Sequence, residues 1–355
     1  ISPDRMLTRQ VTAALQRWGI EPDDSAGIPL PQSPSGRLLR QTAELMGRKL
    51  PSDKLLALLK HPLVAHAARG RHLKHTRDME LELLRGGPPF PTRDDALTWA
   101  AARKSDEGTQ GWINWLWDAL DALAACAAAP LPDLLERHVA LTEQLCAGPD
   151  AGGAGTLWEK ATGEEATKAV TELRDAADAG GEMSCADYGD LIHFVLNRHE
   201  VRDPNAPHTG IMIWGTLEAR VQGADMVILA GLNDGVWPEL PSPDPWLNRQ
   251  MRRDAGLLLP DRRIGLSAHD FQQAVAAPEV WLTRAKRNAE AETVPSRWIN
   301  RLTNLLGGLD GDGTQALADM KARGAEWIAL AAALDHPRSD VPPARRPSPV
   351  PPVEA

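Results

Sequence analysis

Cysteine is scarce in this chain, and that removes a group of architectures at the outset. Its three cysteines, Cys126, Cys146 and Cys185, are too few and too scattered for a disulfide framework or a four-thiolate metal site. Tyrosine and phenylalanine number 1 and 3 against 12 tryptophans, so most tryptophans are expected in the core. No apolar run reaches the roughly 18 residues of a membrane span, and no basic-then-apolar leader opens the chain. These absences predict no membrane partner and a reducing cytoplasm as the compartment. A phosphate-cradling loop is missing as well. Gly148 and Gly153 have its spacing, but Ala154 and Gly155 stand where Lys and Ser or Thr belong, and no apolar strand precedes them. Around Asp310 and Asp312 a calcium loop fails, because Gln315 occupies the position that needs Gly and no Glu closes it.

What is present is ordinary in bulk and uneven in distribution. Hydrophobic residues at 43% and 355 residues in all allow two or three domains with ample core. The net charge of −9 argues against a phosphate partner until it is located. Trp99 to Glu200 holds 7 basic and 18 acidic residues, a balance of −11, which leaves +2 for the remainder. Two clusters outside that block each net +3: Arg249, Arg252, Arg253, Arg262 and Arg263 against two Asp, then Arg284, Lys286, Arg287, Arg297 and Arg301 against two Glu. Lys54 to Arg85 is also basic and carries His61, His66, His72 and His75, which predicts a basic, histidine-bearing helical surface. His72 and His75 have the spacing of a metal pair but lack a third ligand.

Periodicity predicts helices over Ile1–Ile20, Leu38–Leu50, Leu55–Val64, Trp112–Ala129, Leu131–Cys146, Glu164–Ala179, Cys185–Arg198, Asp261–Ala276 and Ala316–Leu334. Strand signals are absent from Pro88 to about Asn197. They return, after an Asp203-Pro204 turn, in Ile211–Trp214 and Met226–Ala230, which flank eleven mostly polar residues, and in Val280–Thr283. A crossover of that length fits two parallel strands whose C-terminal ends, Gly215 and Gly231, share one sheet edge. Glu218, Arg220, Asn233 and Trp237 fall in the loops at that edge, with Asn233-Asp234-Gly235 a turn signal.

Several of these stretches carry a resemblance. GTLEAR (Gly215–Arg220) followed by VILAGLNDGVWP (Val227–Pro238) is similar to the segment of the UvrD-like helicase superfamily around its fifth motif, in the form found in AddB-type subunits of bacterial double-strand-break repair. LLALLKHPLVAH, LELLRGG, DPWLNR, DRRIGLSAHDF, VWLTRA and PSRWINRL resemble the same family in the same order. The resemblance implies an α/β fold: a RecA-like, UvrD-type 2A parallel-sheet domain formed by 1–36 and 201–306, interrupted by a mainly helical 2B-like insertion over 37–200. A trailing helix over 307–335 and a Pro-rich linker over 336–355 follow. The chain is then expected to be an internal fragment, with a motor domain upstream and a nuclease domain downstream. It also implies DNA, as single strand or duplex end, and an AddA-like helicase-nuclease subunit as partners. ATP, Mg²⁺ and a 4Fe-4S cluster would belong to parts of the parent complex outside this chain, and no cofactor is expected within it.

Catalytic chemistry is not expected in these residues. Arg262 and Arg263 match the paired arginines of the family's sixth motif, but the helix continues SAHDFQQA without the arginine finger, and the LTRA at Leu282–Ala285 lies on the following strand. This departure suggests a motor that grips DNA without hydrolysing ATP. The nearest nuclease-like phrase, Asp319-Met320-Lys321, lies on a helical pattern, and Ser267, His269 and Asp270 point apart on a helix, which argues against a triad. The expected phosphate or partner contacts are Arg249, Arg252, Arg253, Arg262, Arg263, Arg284 and Arg297. Two rival readings remain at this stage, an active UvrD-type helicase whose phosphate loop lies upstream and a scaffold that binds only its partner subunit.

Overall fold

The computed structural model describes residues 1–102, 108–149, 151–202, 210–220, 222–240 and 244–336. The predicted Asp203-Pro204 turn and the Pro-rich tail beyond residue 336 lie outside the described residues. The chain divides into two compact units, Ile1–Ala13 with Trp214–Ala355, and Ala14–Ile213.

Helix α1 (Arg5–Arg17) starts in the discontinuous unit, where the Asp4 carboxylate accepts from the N–H groups of Met6 at 2.8 Å and Leu7 at 3.2 Å. The unit Ala14–Ile213 opens with two-residue strands β1 (Asp23–Asp24) and β2 (Ile28–Pro29). Helices α2 (Pro34–Leu45), α3 (Ser52–Leu59), α4 (Arg69–Met79), α5 (Arg93–Ala102) and α6 (Gly108–Ala124) come next. They are followed by β3 (Ala129–Pro130), α7 (Leu131–Ala147), α8 (Lys160–Ala176), β4 (Glu182–Met183), α9 (Cys185–Leu196), β5 (Glu200–Val201) and β6 (Met212–Ile213). Helix α2 is the hub. The Ser33 hydroxyl caps it by accepting from Gly36 N–H, Pro34 opens it, and α6, α7, α8 and α9 all pack on it. A side chain at Gly36 would meet the Leu30 carbonyl oxygen at 2.0 Å, so only glycine permits that approach.

Strand pairing in this unit is minimal: β1 with β6 parallel, β2 with β5 and β3 with β4 antiparallel. The β3–β4 pair corrects the expectation that the acidic block is free of strands. A two-residue bridge is too short to leave an alternating pattern in the sequence.

The histidines of this unit are core residues, not the basic surface expected for that region. His61, His72 and His75 are at most 3% exposed, as is His138 on α7, whereas His66 is exposed. Trp112 N–H donates to His72 Nδ1 at 3.0 Å, so the ring proton sits on Nε2 and is given to the Leu59 carbonyl at 2.8 Å. His138 is fixed in the same way, with Nε2 donating to Leu39 O and Nδ1 accepting from the Tyr188 hydroxyl, both at 2.8 Å. Both nitrogens of His72 and of His138 are therefore used, and these two rings serve as polar ties between helices.

The other unit is a smaller α/β body. It contains β7 (Met226–Leu229), α10 (Arg249–Asp254), α11 (Pro260–Ala274), β8 (Glu279–Leu282), α12 (Arg297–Gly308) and α13 (Gly313–Asp335). Strands β7 and β8 are parallel, in register from Met226↔Glu279 to Leu229↔Leu282, and α10 and α11 lie in the crossover between them. On the other edge of β7, the Ile1 amino group donates to Ile228 O at 2.7 Å and Ile1 O accepts from Ala230 N–H at 2.9 Å, the pattern of a parallel neighbour. Ser2 N–H then reaches Trp214 O at 3.0 Å. Val227 and Leu229 turn one face of β7 onto Trp237, Phe271 of α11 and Trp298 of α12.

The mixed α/β class therefore holds, weighted towards helix. One detail departs from expectation. Strands β6 and β7 do not pair with each other, because β6 takes β1 and the edges of β7 take β8 and Ile1. Between them, Glu218–Arg220 form a short 3-10 turn.

Burial holds the pKa of His61, His72 and His138 at about 4, against about 6.5 for a solvated imidazole. The unfolded chain then binds more protons than the folded one between pH 6.5 and 4, so this contribution is complete above pH 6.5 and is lost as pH falls through that window. Urea unfolding is expected to show stability lower at pH 4.5 than at pH 7 by several kcal/mol, on the order of 2 to 3 per histidine. A profile flat from pH 7 to 4.5 would contradict buried neutral imidazoles.

Candidate functional site

The place to look is the edge of the β7–β8 ladder, where the loops carry the residues singled out from the sequence. Thr283 N–H donates to Leu229 O at 2.9 Å and Leu232 N–H to Thr283 O at 3.0 Å, which extends the ladder beyond both strands. Gly231 then turns the chain at φ +79°, a conformation that suits glycine, beside Leu7 and Ser2.

Four sequence-selected residues lie here, and the structure turns them inward. Asn233 is 7% exposed. Its amide donates to Ala285 O at 2.8 Å and to the Thr293 hydroxyl at 2.7 Å, while its oxygen accepts from Ala285 N–H at 3.2 Å. One side chain thereby ties the β7 loop to the segment after β8. Trp237 is 1% exposed, lies edge-on to Phe271 with ring centroids 6.3 Å apart, and its carbonyl accepts from the Ser296 hydroxyl. Ser296 also accepts from Trp298 N–H at 3.2 Å at the start of α12, so Trp237 and α12 are joined through one hydroxyl. Arg220 makes a two-pronged ion pair with the buried Asp270 of α11, at 2.6 and 3.0 Å. That pairing holds the Arg220 guanidinium above its usual pKa. Glu218 is half-buried and folds back so closely that a side chain at Gly215 would meet its Oε2 at 2.6 Å. Arg220, Asn233 and Trp237 are thus fasteners between elements.

The arginines behave differently from one another. Arg252 is spent internally, at 2.5 Å from Asp244 and with two bonds to Leu258 O at 3.1 and 3.2 Å. Arg249 lies 3.6 Å from Asp261, which sets α10 beside the first turn of α11. Arg284 donates to Ala285 O and Thr293 O, and Arg297 is 3.9 Å from Asp234. Arg253, Arg262 and Arg263 are exposed and carry no ion pair among the described residues, and the same holds for Lys286 and Arg287. An exposed excess of cation with no internal acid to neutralise it suits a phosphate ligand.

Elsewhere, a cavity of about 180 Å³ in the helical unit is lined by Arg71, His72 and Trp112 among others, but both nitrogens of His72 are already committed. No group of three or more potential metal ligands occurs among the described residues, and no described helix is long and apolar enough to cross a membrane. Three tryptophans depart from the expectation of a core role: Trp18, Trp246 and Trp327 are 70%, 85% and 58% exposed. No protein-family model matches the chain, and neither does any curated protein.

The Arg220–Asp270 pair has a testable asymmetry. Asp270 is 6% exposed at its side chain and Arg220 31%, so removing the arginine strands a buried carboxylate, whereas removing the acid leaves an arginine that can turn to water. Arg220→Ala is expected to cost about 2 kcal/mol in urea unfolding and Asp270→Ala about half that. Equal or reversed losses would show that the buried charge is not the controlling feature.

Proposed function

We propose that this chain is the DNA-handling, helicase-like region of an AddB-like subunit that works with an AddA-like helicase-nuclease partner in double-strand-break end resection. In this reading the discontinuous unit is the counterpart of a RecA-like 2A domain and the helical unit of a 2B-like insertion. Support comes from the parallel β7–β8 pair with its helical crossover, from Ile1 lying in parallel beside β7, and from the helix-rich stretch that separates them in sequence. The observation that carries the functional part is the set of exposed cations Arg253, Arg262 and Arg263, without ion pairs among the described residues, on a unit whose Arg220, Asn233 and Trp237 are used internally. The unit then grips phosphates and does no bond chemistry itself. ATP, Mg²⁺ and a 4Fe-4S cluster are assigned to other parts of the parent complex, in keeping with three cysteines and no phosphate loop.

Phosphate contacts release counterions, so the test is a salt titration. Binding of the chain to a fluorescent single-stranded oligonucleotide is expected to weaken steeply from 50 to 200 mM salt. Changing Arg253, Arg262 and Arg263 together to Gln should flatten the log–log slope by about 2, at roughly 0.7 per phosphate lost. Salt-independent binding, or none, would favour the rival in which the chain is a scaffold for its partner subunit alone.

A further inference from the structure

The most exposed tryptophan stands on a turn whose backbone is held by side-chain hydrogen bonds. Trp246 is 85% exposed, yet the turn beneath it is held from three sides. Asp244 Oδ1 accepts from the N–H groups of Trp246 at 2.9 Å and Leu247 at 3.0 Å, and Asp244 Oδ2 is gripped by Arg252 at 2.5 Å. Arg252 in turn bonds Leu258 O, which ties the turn to the far end of α10. Asn248 caps α10 by accepting from Met251 N–H at 2.9 Å. These bonds fix the backbone that carries the indole, so a group stacking on the ring has only its two side-chain torsions to order.

Its surroundings indicate the ligand. Arg249 and Arg253 are one helical turn apart on α10, and the 3.6 Å contact of Arg249 with Asp261 brings Arg262 and Arg263 of the same α11 turn alongside. Arg253, Arg262 and Arg263 remain unneutralised among the described residues. A flat aromatic face on the same linked turn and helices as several uncompensated guanidinium groups complements a strand whose phosphates and bases are both accessible, and a duplex would keep its base faces hidden.

We propose that Trp246 is a base-stacking platform for single-stranded DNA, with Arg253, Arg262 and Arg263 holding phosphates of the same strand. This rests on the DNA-handling reading above and adds to it the residue that meets the bases.

The experiment compares a short oligo(dT) with an abasic strand of equal length and phosphate number, binding each to the full chain and to its Trp246→Ala and Trp246→Phe variants. The wild type is expected to prefer oligo(dT) about tenfold or more, Trp246→Ala to lose that preference through weaker oligo(dT) binding only, and Trp246→Phe to keep most of it. Comparable abasic binding across all three proteins serves as the control for folding. If both strands bind and the preference is unchanged in Trp246→Ala, the stacking role is wrong and the DNA-handling reading stands. If neither strand binds in a salt-dependent way, both fall together.

Discussion

The discontinuous unit depends on one short hydrogen-bonded ladder. Strand β7 has two edges, and both are used: β8 takes one over four residue pairs, and Ile1 takes the other through Ile228 and Ala230. Strand β7 is buried on one face only, and both of its backbone edges find partners only when residues more than 200 positions apart in the chain meet. Its side chains depend on the same meeting. Val227 and Leu229 reach Phe271 and Trp298 on one face, and α1 is positioned just after the residues that complete the edge.

Given that ladder, the loops at its end follow from polar bookkeeping. Asn233 uses its whole amide to join the β7 loop to the segment after β8, Ser296 links Trp237 to α12, and Asp270 anchors Arg220 to α11. Buried polar groups of this kind are satisfied by one another, and each fixes the relative placement of two elements. The consequence for function is a separation of roles. The residues at the motif-bearing edge build a rigid body, and the charge available to a ligand lies on α10, on α11 and after β8, where Arg253, Arg262, Arg263, Lys286 and Arg287 face water.

Much of this was legible in the residues. Strands β7 and β8 fall within one residue of the apolar runs that predict them, and α7, α9 and α11 begin within one residue of their expected starts, because apolar spacing is a local signal. Pairing is not local. Nothing in Met212–Ile213 specifies Asp23–Asp24 as its partner in preference to β7, and the two-residue pairs leave no periodicity to read. The histidines misled for a related reason: a basic, polar stretch reads as surface until Leu59 O and Trp112 are found beside His72. Asn233-Asp234-Gly235 reads as a solvent turn, yet Asn233 is bonded to groups more than 50 residues away. Trp246 is one of the exceptions that composition does not locate: most tryptophans are expected in the core, and which ones stay outside is not a local signal.

Amide hydrogen exchange at Ala230 tests the central claim most directly, because that N–H is bonded only if Ile1 lies against β7. The expected result is protection of Ala230 comparable with that of Leu232 and Thr283, whose amides belong to the β7–β8 side of the ladder. Exchange of Ala230 at an unprotected rate, while Leu232 and Thr283 stay protected, would mean that the two distant segments do not close on one strand.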